Sequence, residues 1–206
     1  MTSRLISPDL TPSERARMGV QEVEDRLERI AKALTTANVP FALIGGQAVR
    51  LWVGRIDKGV MRNTKDVDIL LDRKDLPQAT LAAETVGMEY LRTYGVDMFV
   101  DKAEPLPSES VHIVWANEKL RASDLAPAPP IEARQLLQPE RPVVELESLV
   151  RMKLVAYRLH DRTHIRDMIH VKLIDESLID RLPHELAVRL RAVFEEYRLE
   201  DIDRPG

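Results

Sequence analysis

Apolar positions recur at steps of three and four near both ends of this chain and gather into short unbroken runs between them. Val20, Val23, Leu27, Ile30 and Leu34 trace one face of an amphipathic helix. Thr11-Pro12-Ser13-Glu14 predicts its start: Thr11 caps, Pro12 takes the first helical position and Glu14 completes a capping box. Asn38-Val39-Pro40 ends it, and residues 1–10 are polar and expected to be loose. Phe41-Ala42-Leu43-Ile44 is a run of strand length closed by Gly45-Gly46, and a short helix is expected over 47–53. A basic, glycine-containing loop over 54–65 leads to a strand over 66–71, then a helix over 75–86 that stops at Gly87. Residues 96–100 and 111–115 have strand character, with Pro105 and Pro107 marking the loop between them.

Five prolines (Pro127, Pro129, Pro130, Pro139 and Pro142) make helix untenable over 124–142, leaving a connector with room for a short edge strand. Beyond it, Leu146, Leu149, Val150, Lys153, Leu154 and Tyr157 form one helical stripe. A second helix is expected over 165–174. A third starts near Pro183, with Leu186, Leu190, Val193, Phe194 and Tyr197 inward. The expected organisation is an α/β part over 11–123, a connector over 124–142 and a helical part over 143–198.

Composition narrows the function classes. With 44% hydrophobic and 31% charged residues the chain reads as globular, and no apolar run approaches the ~20 residues of a membrane helix. A cytoplasmic protein without membrane contact is the expectation. Cysteine is absent, which removes disulfides, thiolate metal sites and a cysteine nucleophile. The net charge of −4 argues against a surface that coats nucleic acid. That average conceals a contrast. Four of the eight glycines fall within 45–59, and Arg50, Arg55, Lys58, Arg62 and Lys65 against Asp57 alone make residues 50–65 net +4.

Two acids follow at once. Side chains alternate along a strand, so Asp66 and Asp68 point to one face while Val67, Ile69 and Leu71 point to the other. Paired carboxylates repel unless a cation joins them, and Mg²⁺ does so while keeping positions for water or phosphate. Gly45-Gly46, between a strand and a helix, lets backbone approach a ligand and offers amides to an anion. Alone, each feature is an ordinary turn or a solvated strand start; together, with cations between them, they point to a phosphate-and-metal site. Lys153 interrupts an apolar stripe and is a candidate phosphate contact. Arg158, Asp161, His164 and Asp167 lie near it on the helices that follow, whereas His160, His164 and His170 make a weak metal pattern. Trp52 and Trp115 read as core anchors.

Ile44-Gly45-Gly46-Gln47-Ala48-Val49, followed by Arg62-x-Thr64-x-Asp66-Val67-Asp68-Ile69, resembles the nucleotidyltransferase superfamily with the DNA polymerase β-like fold. It is most similar to the small bacterial branch that includes AbiEii-type toxin proteins. Leu149-x-x-x-Lys153-Leu154-x-Ala156-x-Arg158-x-x-Asp161-x-x-x-x-Arg166-Asp167 extends the resemblance. The resemblance implies an α+β fold: a small mixed sheet flanked by helices, then a C-terminal helical part. It implies NTP as substrate, with Gly45, Gly46, Arg62, Thr64 and Lys153 holding the nucleotide and Asp66 and Asp68 binding Mg²⁺ or Mn²⁺. It implies transfer of an NMP group to RNA, protein or a small molecule, and an antitoxin-like protein partner is a further expectation.

These enzymes carry a third carboxylate on a later strand. The matching strand here is 111–115, and the position falls on His112, which joins Asp66 and Asp68 as a candidate catalytic residue. Asp97 and Asp101 are the alternatives. His112 also motivates a second function class, a non-catalytic nucleotide- or partner-binding module. A third has residues 143–198 acting as a partner-binding helical face.

Overall fold

The computed structural model describes residues 11–138 and 141–202; the expected loose segment 1–10 and Pro139 lie outside them. Helix α1 (Pro12–Thr36) begins at its proline and buries Val23, Leu27, Ile30 and Leu34, as its periodicity predicts. Strand β1 (Phe41–Leu43), helix α2 (Gly45–Gly54), strand β2 (Val67–Leu71) and helix α3 (Leu76–Thr85) follow in the expected order. Next come β3 (Met88–Thr93), β4 (Val96–Asp101), β5 (Val111–Trp115), β6 (Arg134–Gln138) and β7 (Arg141–Val144). Helices α4 (Leu146–Ala156), α5 (Leu159–His170) and α6 (His184–Ile202) complete the described chain.

The strands form one sheet in the order β3-β4-β5-β2-β1-β7-β6. β2 and β5 run parallel, as do β1 and β7, while the other neighbours are antiparallel. The fold is therefore α+β with a mixed sheet flanked by helices and followed by a helical C-terminal part. Among the described residues no helix is long and apolar enough to cross a membrane.

Three elements differ from expectation. β3 is an edge strand whose Glu89 and Arg92 face solvent, so it shows no continuous apolar run. Its signal is the Tyr94-Gly95 pair, both at positive φ, which closes a two-residue hairpin between Thr93 and Val96. The proline-rich stretch contributes two strands. β7 inserts beside β1, meeting it at Leu43–Val143, and β6 folds back as the edge. Pro142 is tolerated because that single register point lies beyond it. Helix α5 starts at Leu159, well before the expected 165, because Asp161 at its third position accepts from the Arg158 backbone N–H (3.2 Å). Helix α4 stops at Tyr157, which takes a left-handed conformation (φ 49°) and lies between the Arg189 and Arg162 guanidinium groups.

Both tryptophans anchor the core. Trp52 Nε1 donates to Val144 O (3.1 Å), fastening α2 to β7, and Trp115 Nε1 donates to Asp97 (2.6 Å). Glu24 of α1 accepts from Arg50 of α2 (2.9 Å) and from Arg141 of β7 (2.5 Å). Burial would raise the Glu24 carboxyl, but the two guanidinium groups outweigh it and hold it below its ordinary range.

Candidate active site

The β1–α2 turn meets β2 at the centre of the sheet. Gly45 has φ +64°, and a Cβ built there would lie 2.1 Å from Asp68 Oδ2. A Cβ on Gly46 would lie 2.8 Å from Thr64 Oγ1. The glycine pair is therefore required by close approach: its backbone rests directly on Asp68 and Thr64. The turn is secured by the Ile44 N–H donating to Asp68 O (3.1 Å). Ile44 provides no side-chain cap for α2, and the first turn carries no acid, so its amides are left for another acceptor. Asp66 lies one residue before β2 and is exposed, and its N–H donates to Thr64 Oγ1 (3.4 Å).

Strand register settles which group stands beside Asp68. Asp68 is opposite His112 on parallel β5, and His112 is opposite Met98 on β4. His112 Nδ1 lies 3.4 Å from Asp68 Oδ1. That hydrogen bond, with the charges of Asp68 and Asp66, raises the imidazole above its usual range against the opposing pull of burial. An imidazole whose charged form those carboxylates stabilise thus stands where the resemblance implies a carboxylate. Asp97 is opposite Ile113 and so lies on the other face of the sheet, buried against Tyr90, Trp115 and Arg92. Asp101 ends β4 and pairs with Arg29 (3.0 Å). Neither alternative acid joins Asp66 and Asp68.

Arg62 is also committed elsewhere. It forms a bidentate pair with Asp167 of α5 (2.6 and 3.0 Å), binding the loop before β2 to the C-terminal helices. Lys153, in contrast, does reach the site. It lines a cavity of about 170 Å³ floored by Gly45, Asp68 and Val114. One wall is the 120–128 segment, with Leu120, Arg121 and Asp124; the other is the end of α4 and start of α5, with Met152, Lys153, Arg158 and Asp161. Arg121 and Asp124 escaped the sequence reading because they sit in a loop with no periodicity. The Lys153 ammonium donates to Asp161 (2.9 Å), and both side chains are buried, at 7% and 1% exposure. Three acids and three cations line the cavity, so it has no net attraction for a bare polyanion.

The donors fit a hard divalent cation in one mode. Asp66 and Asp68 offer carboxylate oxygens, and among the described residues no three Asp, Glu or His side chains converge as a metal centre. Mg²⁺ is ordinarily held by one or two carboxylates and completed by substrate phosphates, so a metal carried in with a nucleotide suits this pair.

Gly45→Ala is expected to cost about 2–4 kcal/mol, from left-handed backbone strain and displacement of Asp68. Gly19→Ala, with nothing within 4 Å, should be neutral or slightly stabilising. Urea midpoints of the two variants test the contrast. His164 supplies a pH signature. Burial pushes its imidazole down to about 4, helped by the Lys153 charge, and its Nδ1 has no hydrogen-bond partner among the described residues. Above pH 6.5 both folded and unfolded forms are neutral. Between about 6.5 and 4 only the unfolded chain takes the proton, so stability falls with acidification across that window. The difference between wild type and His164→Asn across pH 7.5–4.5 isolates this loss from the opposite contribution of His112.

No family model matches the sequence, and no curated protein matches it. Among solved structures, the chain is similar to the solution structure of the antibiotic-resistance factor ANT(2'')-Ia. That match has a TM-score of 0.47 and 17% identity, covering 91% of this chain and 96% of that one. The crystal structure of ANT(2'')-Ia in complex with adenylyl-2''-tobramycin is similar with TM-score 0.48 and 16% identity, covering 86% and 98%. An antigenic nucleotidyltransferase-like protein from Paracoccidioides brasiliensis gives 0.48 and 18%, covering 89% and 90%. Likeness at this level leaves function to be argued from the chain's own residues.

Proposed function

We propose that this chain is a nucleotidyltransferase: it binds an NTP with Mg²⁺ in the Gly45–Asp68 cavity and transfers the NMP group to an acceptor, breaking the bond between the α- and β-phosphates and releasing pyrophosphate. The contact of the Gly45 backbone with the Asp68 carboxylate carries the reading. Uncapped helix amides attract an anion, and a carboxylate a few ångströms away repels one. A metal–phosphate complex would satisfy both at one place: the amides opening α2 would take the phosphate, and Asp68 and Asp66 would hold the cation. In that role Gly45, Gly46 and Thr64 shape the phosphate seat, and Lys153 faces it from the opposite wall. Bound at Asp66 and Asp68, the metal would neutralise charge on the phosphates. The protein's own part is positioning and electrostatics: the glycine turn orients the triphosphate, the cavity walls limit water, and His112 holds Asp68 in place.

The acceptor is RNA, a protein or a small molecule, and it meets a rim bearing Arg121, Arg158 and the exposed Leu120. A toxin-like role with an antitoxin-like partner belongs to the same reading. Calorimetry with ATP, GTP, CTP and UTP plus Mg²⁺, on wild type and Asp66→Ala/Asp68→Ala, tests the site. Binding to wild type alone is expected; equal or equally absent binding sinks it. Incubation of α-labelled NTP with RNA, protein and small-molecule fractions then tests transfer.

A further inference from the structure

Asp161 lines the cavity but sits behind its wall. Its side chain is 1% exposed and is saturated by its neighbours. One oxygen accepts from Lys153 Nζ (2.9 Å); the other accepts from Arg158 Nε (2.9 Å) and the Arg158 backbone N–H (3.2 Å). His160 Nε2 stands 3.5 Å from the first oxygen. Burial alone would raise this carboxyl, but Lys153 and Arg158 outweigh it and hold it below its ordinary range, so a carboxylate underlies the two cations. Lysine and arginine each lose considerable rotamer freedom when held in one geometry. Lys153 lies in the last turn of α4 and Arg158 precedes α5, with the left-handed Tyr157 between them, so their relative position depends on where α5 begins. Asp161 determines that too, through its bond to the Arg158 N–H.

We infer that Asp161 is a positioning residue that holds Lys153 and Arg158 side by side as a clamp for the phosphate tail of the nucleotide. The inference rests on the proposed nucleotide site. One carboxylate beneath two cations leaves one surplus positive charge where α4 and α5 line the cavity. That surplus offsets the repulsion a triphosphate meets from Asp68 and Asp124. Asp161 does not touch the ligand: its oxygens are occupied, and an uncovered carboxylate there would repel phosphate.

The test compares the tightest-binding of the four NTPs, with Mg²⁺, and its parent nucleoside without metal, by calorimetry and NMR titration. Asp161→Asn is expected to weaken NTP binding at least tenfold and leave nucleoside binding within twofold; Asp161→Glu recovers part of the loss. Lys153→Met/Asp161→Leu replaces the buried pair by apolar groups, keeps the fold if Asp161→Asn does not, and loses the same NTP affinity. Arg158→Ala, whose side chain is 57% exposed, loses a smaller share. NTP and nucleoside affinities that fall together mean a purely structural role and overturn the clamp, as does unchanged NTP affinity in the folded variants. Wild-type protein that binds none of the four NTPs overturns the nucleotide site itself, and this inference with it.

Discussion

On the proposed function, Asp68→Ala is expected to lower NMP transfer by about a thousandfold or more, equivalent to about 4 kcal/mol of transition-state stabilisation. Asp68 is the side chain on which the site converges: the Gly45 backbone packs against Oδ2, His112 Nδ1 faces Oδ1, and the carboxylate floors the cavity that Lys153 lines. On the proposed function, removing it would take away a carboxylate that would hold the cation accompanying the triphosphate, and would leave His112 without its partner. The fold should survive, because Asp68 contributes its main chain, not its side chain, to the Ile44 hydrogen bond and the β5 pairing. Asp101→Ala supplies the contrast. It breaks a part-exposed pair with Arg29, worth at most about 1 kcal/mol, at the far end of β4. Transfer of α-labelled NTP by the two variants measures the difference. Activity within tenfold of wild type in Asp68→Ala would remove Asp68 from the mechanism.

The second large effect is on stability. Asp161→Leu alone is expected to cost about 3–5 kcal/mol, because it strands the Lys153 charge in the interior, and Lys153→Met alone is expected to cost less, because Asp161 keeps its bonds to Arg158. The double variant should recover most of that loss, since a well-packed apolar pair avoids the desolvation penalty of both ions. Urea unfolding of the two single variants and the double variant closes the cycle. Additive losses would show that the buried pair is not energetically coupled. Recovery of stability with lost NTP affinity in the double variant would place the ion pair's value in ligand binding, not folding.

Much of this was legible in the sequence because it is local. The strand–Gly-Gly–helix turn, the Asp-Val-Asp strand start, the α1 stripe and the helical end of the chain follow from alternation at two or 3.6 residues and from turn chemistry. Lys153 stood out for the same reason, as a cation on an apolar stripe. The early start of α5 was missed because its N-cap residue is Arg158, with no Ser, Thr, Asp or Asn to announce it. β3 was missed because an edge strand has no need of an apolar run.

The sequence by itself determined the local elements and the residue types brought to the site: a glycine pair, two carboxylates and a buried-stripe lysine. Only the tertiary structure decided their partners. It placed β5 parallel to β2 in the register that sets His112 against Asp68 and turns Asp97 to the other face. It drew β7 from the proline-rich stretch into the sheet beside β1, committed Arg62 to Asp167, and set Asp161 beneath Lys153 and Arg158. The physical reason is that strand register and ion-pair choice are pairings between segments far apart in the chain. A one-residue slip, leaving each segment's own pattern unchanged, would exchange every face.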